Sequence, residues 1–222
     1  MTSPLTCVEI PATSSPQYSI IWLHGLGADG HDFESIVPEL SLNNMEHINF
    51  IFPNAPVQAV TINSGMQMRS WYDILEASLD RAVAIDDIYQ SSALLDQLIQ
   101  QQIDQGIKAE NILLAGFSQG GVIALHTGLR YPQKLAGIMA LSTYMPTTEQ
   151  LTTERSEENN ATAIFMAHGT MDPIVYPQIA KDSFSRLKSM SYSISWHEYP
   201  MQHSFCLEEI NDISAFINRV FN

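Results

Sequence analysis

Basic residues are scarce. Ten lysines and arginines stand against 24 aspartates and glutamates, a formal charge of −14 at neutral pH. That imbalance argues against a nucleic-acid or anionic-membrane partner, since both are gripped by clustered cations. The acids are scattered rather than blocked and read as a solvated surface. Cysteine is nearly absent: Cys7 and Cys206 lie almost a whole chain apart, so no disulfide framework is visible and a reducing cytoplasm fits. No apolar run exceeds strand length, so no bilayer span is predicted. The opening MTSPLTCVEIPATSSPQYSI lacks the basic and then apolar segments of a secretory signal. H-x-x-x-H and H-E-x-x-H spacings are also missing, which counts against a zinc hydrolase and predicts no metal. No internal repeat or low-complexity tract stands out.

What is present is a chain of 222 residues, 45% hydrophobic, enough for one well-filled core; a single domain over 1–222 is expected. Apolar strand-sized runs recur at 18–23, 48–53, 111–117, 135–142, 162–168 and 192–199. Several are apolar throughout, as parallel strands covered on both faces require. Helical patterns separate them. Residues 86–105 place Ile88, Leu95, Ile99 and Ile103 on one face and stop at Gly106, and a last helix from about Ser204 aligns Ile210, Ile213, Ile217 and Val220. The alternation predicts an α/β fold with a mostly parallel central sheet and helices on both faces. Two stretches resist it: 54–82, without sustained period and so a lid or binding segment, and 143–161, polar and expected as exposed loop.

LLAGFSQGGVIAL, residues 113–125, sets one serine among glycines where a strand meets a helix. Gly116-Phe117-Ser118-Gln119-Gly120 satisfies G-x-S-x-G in that context, and a sharp turn there would lift the Ser118 hydroxyl above the sheet. Side chains at positions 116 and 120 would collide in such a turn. The following helix would aim its positive end at developing negative charge.

A serine nucleophile needs a base, and the base an orienting acid; on this type of sheet they follow in the order serine, acid, histidine. After Ser118 and before the last histidine, the only aspartates are Asp172 and Asp182. Asp182 sits in a helical pattern, whereas Asp172 follows a strand directly, where functional acids of α/β sheets belong. Of the remaining histidines, His197 falls within a strand pattern and His203 in the loop PMQHS before the last helix, so His203 is the expected base. His24 and His168, each before a glycine at a strand end, are expected to brace loops.

HGLGADG, from His24, is a glycine-rich loop after a strand without the Gly-Lys-Ser/Thr ending of a phosphate-binding loop. Beside the serine elbow it reads as half of an oxyanion hole, the other half being the N–H of Gln119. Together with FPNAP, GMQMRSWYDI, GFSQGG, LSTYMP, HGTMDPIV and YPMQHS, in order over nearly the whole chain, it resembles the phospholipase/carboxylesterase family of α/β-hydrolases. That family includes acyl-protein thioesterases and small bacterial carboxylesterases.

The resemblance implies an α/β-hydrolase fold with Ser118 as nucleophile, Asp172 as orienting acid and His203 as base. It implies oxyanion donors at the N–H groups of Leu26 and Gln119, and no cofactor. It places an acyl-binding surface at about 57–73, with Met66, Met68 and Trp71 lining an apolar groove or, in the alternative, covering the core. The expected activity is hydrolysis of carboxylic esters of short to medium acyl chains through an acyl-serine. The alternatives are an acyl-protein thioesterase or lysophospholipase acting on long chains, and a binding protein that kept the fold without catalysis. The partner is then a small-molecule or lipid-like acyl ester, and an exposed apolar lid would allow transient membrane-surface contact or a homodimer.

Overall fold

A computed structural model describes residues 4–76 and 82–222. Strands β1 (Cys7–Ile10), β2 (Tyr18–Leu23) and β3 (Ile48–Pro53) are followed by a two-stranded ribbon of β4 (Val57–Val60) and β5 (Met66–Arg69). Helix α1 (Ile85–Asp104) leads to β6 (Ile112–Phe117), α2 (Gln119–Gly128) and β7 (Gly137–Leu141). Then come α3 (Thr148–Glu154), β8 (Ala163–Gly169), α4 (Pro177–Ser189), β9 (Ile194–Tyr199) and α5 (Leu207–Val220). Seven strands form one sheet in the order β1-β3-β2-β6-β7-β8-β9, antiparallel only where β1 meets β3.

Period-two alternation divides the sheet's side chains between two cores. Ile21, Leu23, Ile112 and Leu114 pack with Leu95 of α1, Val122 of α2 and Leu187 of α4. Ile20, Trp22, Leu113 and Ala115 face the other way, against Phe33, Val37 and Ile213, Phe216 and Ile217 of α5. Helices therefore cover both faces, as the alternation of elements predicted. Each fully buried Leu or Ile contributes about 1.5–3 kcal/mol.

Parallel register brings the site's loops to one edge. Leu23 pairs with Gly116, Phe117 with Leu141, Leu141 with Ala167 and Gly169 with Tyr199, so the C-terminal ends of five strands lie side by side. The segments holding Leu26, Ser118, Thr143, Asp172 and His203 all leave the sheet there, where α/β sheets bind ligands.

Three departures from the sequence reading have physical causes. The 54–82 segment is not irregular throughout: VQAV and MQMR pair as an antiparallel ribbon, too short to show a period, and Ile74 bridges Val83. Its residues 77–81 lie outside the described residues. The 143–161 segment is neither exposed nor a loop over its length, since it contains α3 and buries Thr143, Thr147 and Thr148. Their hydroxyls are satisfied locally, Thr147 by His126 Nδ1 at 2.9 Å and Thr148 by the Met145 carbonyl at 2.6 Å, so polar composition did not mean exposure. The last helix begins at Leu207 rather than Ser204, because 201–206 form the loop that carries His203.

Candidate active site

Ser118 links β6 to α2 with φ 54° and ψ −118°, a left-handed conformation that non-glycine residues rarely take. Its N–H bonds the Leu141 carbonyl at 2.9 Å, and its own carbonyl accepts the Thr143 hydroxyl at 2.6 Å. The end of β7 thus clamps the strained residue on both sides. The glycines are explained by backbone proximity: a Cβ at Gly116 would lie 2.2 Å from the Gly120 carbonyl oxygen, and one at Gly120 2.4 Å from that of Leu23. Neither contact can be relieved by a side-chain rotation.

Asp172 is buried in the loop after β8. Its Oδ1 accepts the N–H groups of Ile174 (2.8 Å) and Val175 (2.9 Å), and its Oδ2 meets His203 Nδ1 at 2.7 Å. Burial alone would raise this carboxyl, but the adjacent His168 N–H, the hydrogen bond and charge of His203 and the Val175 amide outweigh it and hold the group well below the usual carboxylate range. A carboxylate only accepts, so Nδ1 of His203 carries the proton and Nε2 is left with a free lone pair. The imidazole lies 4.6 Å from the ring of Phe117, the residue before Ser118, centroid to centroid, and Phe205 packs 4.8 Å from Phe117 behind it. The structure therefore joins His203 to Asp172 and seats it beside the elbow; no hydrogen bond joins it to the Ser118 hydroxyl. Such contacts are often long until substrate is bound.

Leu26 lies in the loop after β2, where the Gly27 N–H bonds the Arg69 carbonyl at 2.9 Å and fastens this loop to the ribbon. Among the described residues, the N–H groups of Leu26 and Gln119 donate to no other group. The Gln119 amide opens α2, where first-turn N–H groups lack intrahelical partners. His24 braces this loop through Nδ1 to the Gly25 carbonyl (2.6 Å) and Nε2 from the Ala55 N–H (3.1 Å).

The three residues expected to line a groove separate. Met66 is 63% exposed and Met68 partly buried, both on β5. Trp71 is 1% exposed: it is a core residue whose indole N–H donates to the His24 carbonyl at 2.9 Å, so the groove reading does not hold for it here and the core-covering alternative does. A cavity of about 410 Å³ is lined by Val83, Ile85, Tyr144, Met145, Ile179, Asp182 and Arg186, among others. Tyr144 follows Thr143, the residue that clamps Ser118.

Sequence reading gave no role to Thr143 or to the Gln119 side chain. The Gln119 amide accepts from the N–H of Trp71 (3.1 Å) and donates to the Tyr72 carbonyl (2.8 Å), mooring the segment after the ribbon to the elbow. Membership of the motifs GFSQGG and LSTYMP was the signal for these two residues. His168 was expected to brace a loop, and it does so through the Val175 carbonyl at 2.8 Å.

Comparison with known proteins agrees with this architecture. The phospholipase/carboxylesterase family model matches residues 6–221. The chain is 37% identical to acyl-protein thioesterase 1 of Yarrowia lipolytica, over 95% of each chain. It is 39% identical to acyl-protein thioesterase 1 of Neurospora crassa, covering 94% of this chain and 89% of that one. Among solved structures, Arabidopsis thaliana SOBER1 superimposes with a TM-score of 0.88 at 30% identity, covering 93% of this chain and all of that one.

Proposed function

The chain belongs to the phospholipase/carboxylesterase family of α/β-hydrolases, and from that premise we propose that it is a serine hydrolase that cleaves acyl esters through an acyl-serine intermediate. The observation that carries the reading is the short His203–Asp172 pair, seated against the residue that precedes a serine in a left-handed elbow.

Ser118 Oγ attacks the acyl carbonyl while His203 Nε2 takes its proton. Asp172 holds the imidazole in the tautomer that leaves Nε2 free and stabilises the imidazolium as it forms. The oxyanion is received by the Leu26 and Gln119 N–H groups, each such donor being worth about 3 kcal/mol in the transition state. His203 then protonates the leaving alcohol or thiol. It activates water in turn, and the acid is released from Ser118.

Short to medium acyl chains can be held against Met66 and Met68, whose side chains adapt to varied apolar shapes. A second reading, thioester hydrolysis of long acyl chains, is favoured by the names of the 37–39% identical relatives and by the 410 Å³ cavity beside Tyr144. Exposed Val57 and Met66 on the ribbon, with Met171 and Ile174 in the loop after β8 and Leu207 opening α5, support transient contact with a lipid-like surface or a second copy. No helix of the described residues is long and apolar enough to cross a membrane. The free cysteines Cys7 and Cys206 support a cytoplasmic setting, and the charge of −14 supports the absence of a nucleic-acid partner.

The test is hydrolysis of p-nitrophenyl esters of rising chain length, and of a palmitoylated peptide, by the wild-type protein and Ser118→Ala. We expect the variant to lose at least about a thousandfold in kcat. Equal rates from the two proteins would end the proposal; the chain-length series reads the acyl preference, and the palmitoylated peptide separates the ester from the thioester reading.

A further inference from the structure

We infer that His168 is a positioning residue for Asp172, supplying a second imidazole N–H to the carboxylate that orients His203. The inference rests on the catalytic reading above. His168 is the last residue but one of β8, four residues before Asp172, is almost fully buried, and lies with its ring nearly parallel to Trp196, 13° between planes at 6.1 Å.

The protonation pattern follows from its neighbours. Nε2 is 2.8 Å from the Val175 carbonyl, which can only accept, so Nε2 carries the proton. The same nitrogen is 3.3 Å from Asp172 Oδ2, the oxygen that receives His203. The carboxylate is thus hydrogen-bonded by the Ile174 and Val175 N–H groups on Oδ1 and by His203 on Oδ2, and the His168 N–H, whose own hydrogen bond goes to Val175, lies in electrostatic contact with that same Oδ2. Nδ1 of His168 is buried without a partner. An imidazole kept only for packing would be better replaced by an apolar ring, since an unpaired buried acceptor is unfavourable. What the histidine adds is the Nε2 proton. Hydrogen-bonded to the loop backbone, this N–H presents its positive end to Asp172, so β8 helps fix the carboxylate while His203 carries the Ser118 proton on Nε2.

The experiment compares His168→Leu and His168→Gln with wild type and Ser118→Ala on a short p-nitrophenyl ester, over a range of pH. H168L should lose about tenfold to a hundredfold in kcat with KM little changed, a part of what general-base catalysis supplies. Its acidic limb of kcat/KM should move up by about half a pH unit, because a carboxylate with one donor fewer attracts the His203 proton more strongly. H168Q, whose amide can place an N–H where Nε2 lies, should recover most of the loss. Wild-type turnover in H168L, or equal damage in both variants with an unmoved limb, would overturn the inference. Nitrogen NMR of the wild-type protein decides independently of how the variants fold: a His168 protonated on Nδ1 alone leaves Asp172 no second proton and defeats the idea. Full activity in S118A would instead defeat the catalytic reading itself.

Discussion

Glu209 is the residue whose surroundings fit its chemistry least. It lies in the first turn of α5, fully buried, and among the described residues neither carboxyl oxygen has a hydrogen-bond partner. Burial first, and the nearby Asp212 second, push its carboxyl up to about 8. The neighbouring ionisable groups are Asp212, Tyr199, whose hydroxyl donates to Asp212 at 2.7 Å, and Cys206. An unfolded glutamate releases its proton near pH 4.3. Between there and about 8 the folded chain therefore holds a proton that the unfolded chain has given up. Stability from this group is complete below about pH 4, falls through that window, and is level above it. Glu209→Gln keeps the shape and removes the ionisation. Its melting temperature should match wild type near pH 4 and exceed it by several degrees at pH 8, in thermal melts across pH. A constant difference over the range would mean that the carboxyl does not ionise with folding. Residues of this kind divide by what determines them. Ser118, Asp172 and His203 were singled out from chain order and loop position, which sequence carries directly. Glu209, Thr143 and the Asp172 contact of His168 depend on which atoms meet after packing, and the string EEINDI gives no sign that its second glutamate is buried.

Strands with continuous apolar runs were legible nearly to the residue, because a strand buried on both faces has no room for polar side chains; β2 and β3 coincide with the runs at 18–23 and 48–53. The ribbon of β4 and β5 was not legible. Its strands are four residues each and largely solvent-facing, so no hydrophobic period forms, and backbone pairing from Val57–Arg69 to Val60–Met66 defines it. β1 was missed for a similar reason, as a short, partly exposed edge strand. The segment after the ribbon is attached to the site through the Gln119 side chain, which holds the Trp71 N–H and the Tyr72 carbonyl. Gln119→Ala keeps the backbone amide opening α2 but leaves the buried Trp71 N–H without its acceptor. The expected loss is about 1–3 kcal/mol of unfolding free energy, read from urea denaturation. An unchanged midpoint would show that the segment is held by its core packing alone.

At the scale of the whole molecule the dominant property is charge, and composition alone supplied it. With −14 on a chain of 222 residues, the field reaching the site is set by the excess of acids rather than by any one pair. Within the described loops at the sheet's C-terminal edge, Asp29, Asp32 and Glu34 follow the Leu26 turn and Glu208 lies just past the His203 loop. Arg69, which meets the Leu26 loop through its carbonyl, turns its guanidinium inward to the Ala55 carbonyl at 3.0 Å. A substrate bearing its own negative charge is therefore repelled on approach, whereas a neutral ester is indifferent. The Debye length shortens from about 30 Å at 0.01 M to about 8 Å at 0.15 M ionic strength, which screens that repulsion without touching contacts inside the site. For an ester with a free carboxylate on its acyl chain, kcat/KM should rise several-fold over this range, while that of a neutral ester of equal length stays level. The rise should lie in KM, since kcat reports the bound complex. Parallel salt titrations of the two esters check this, and a carboxylate-bearing ester hydrolysed faster at low salt would mean that a local cation, not the acidic surface, governs access to Ser118.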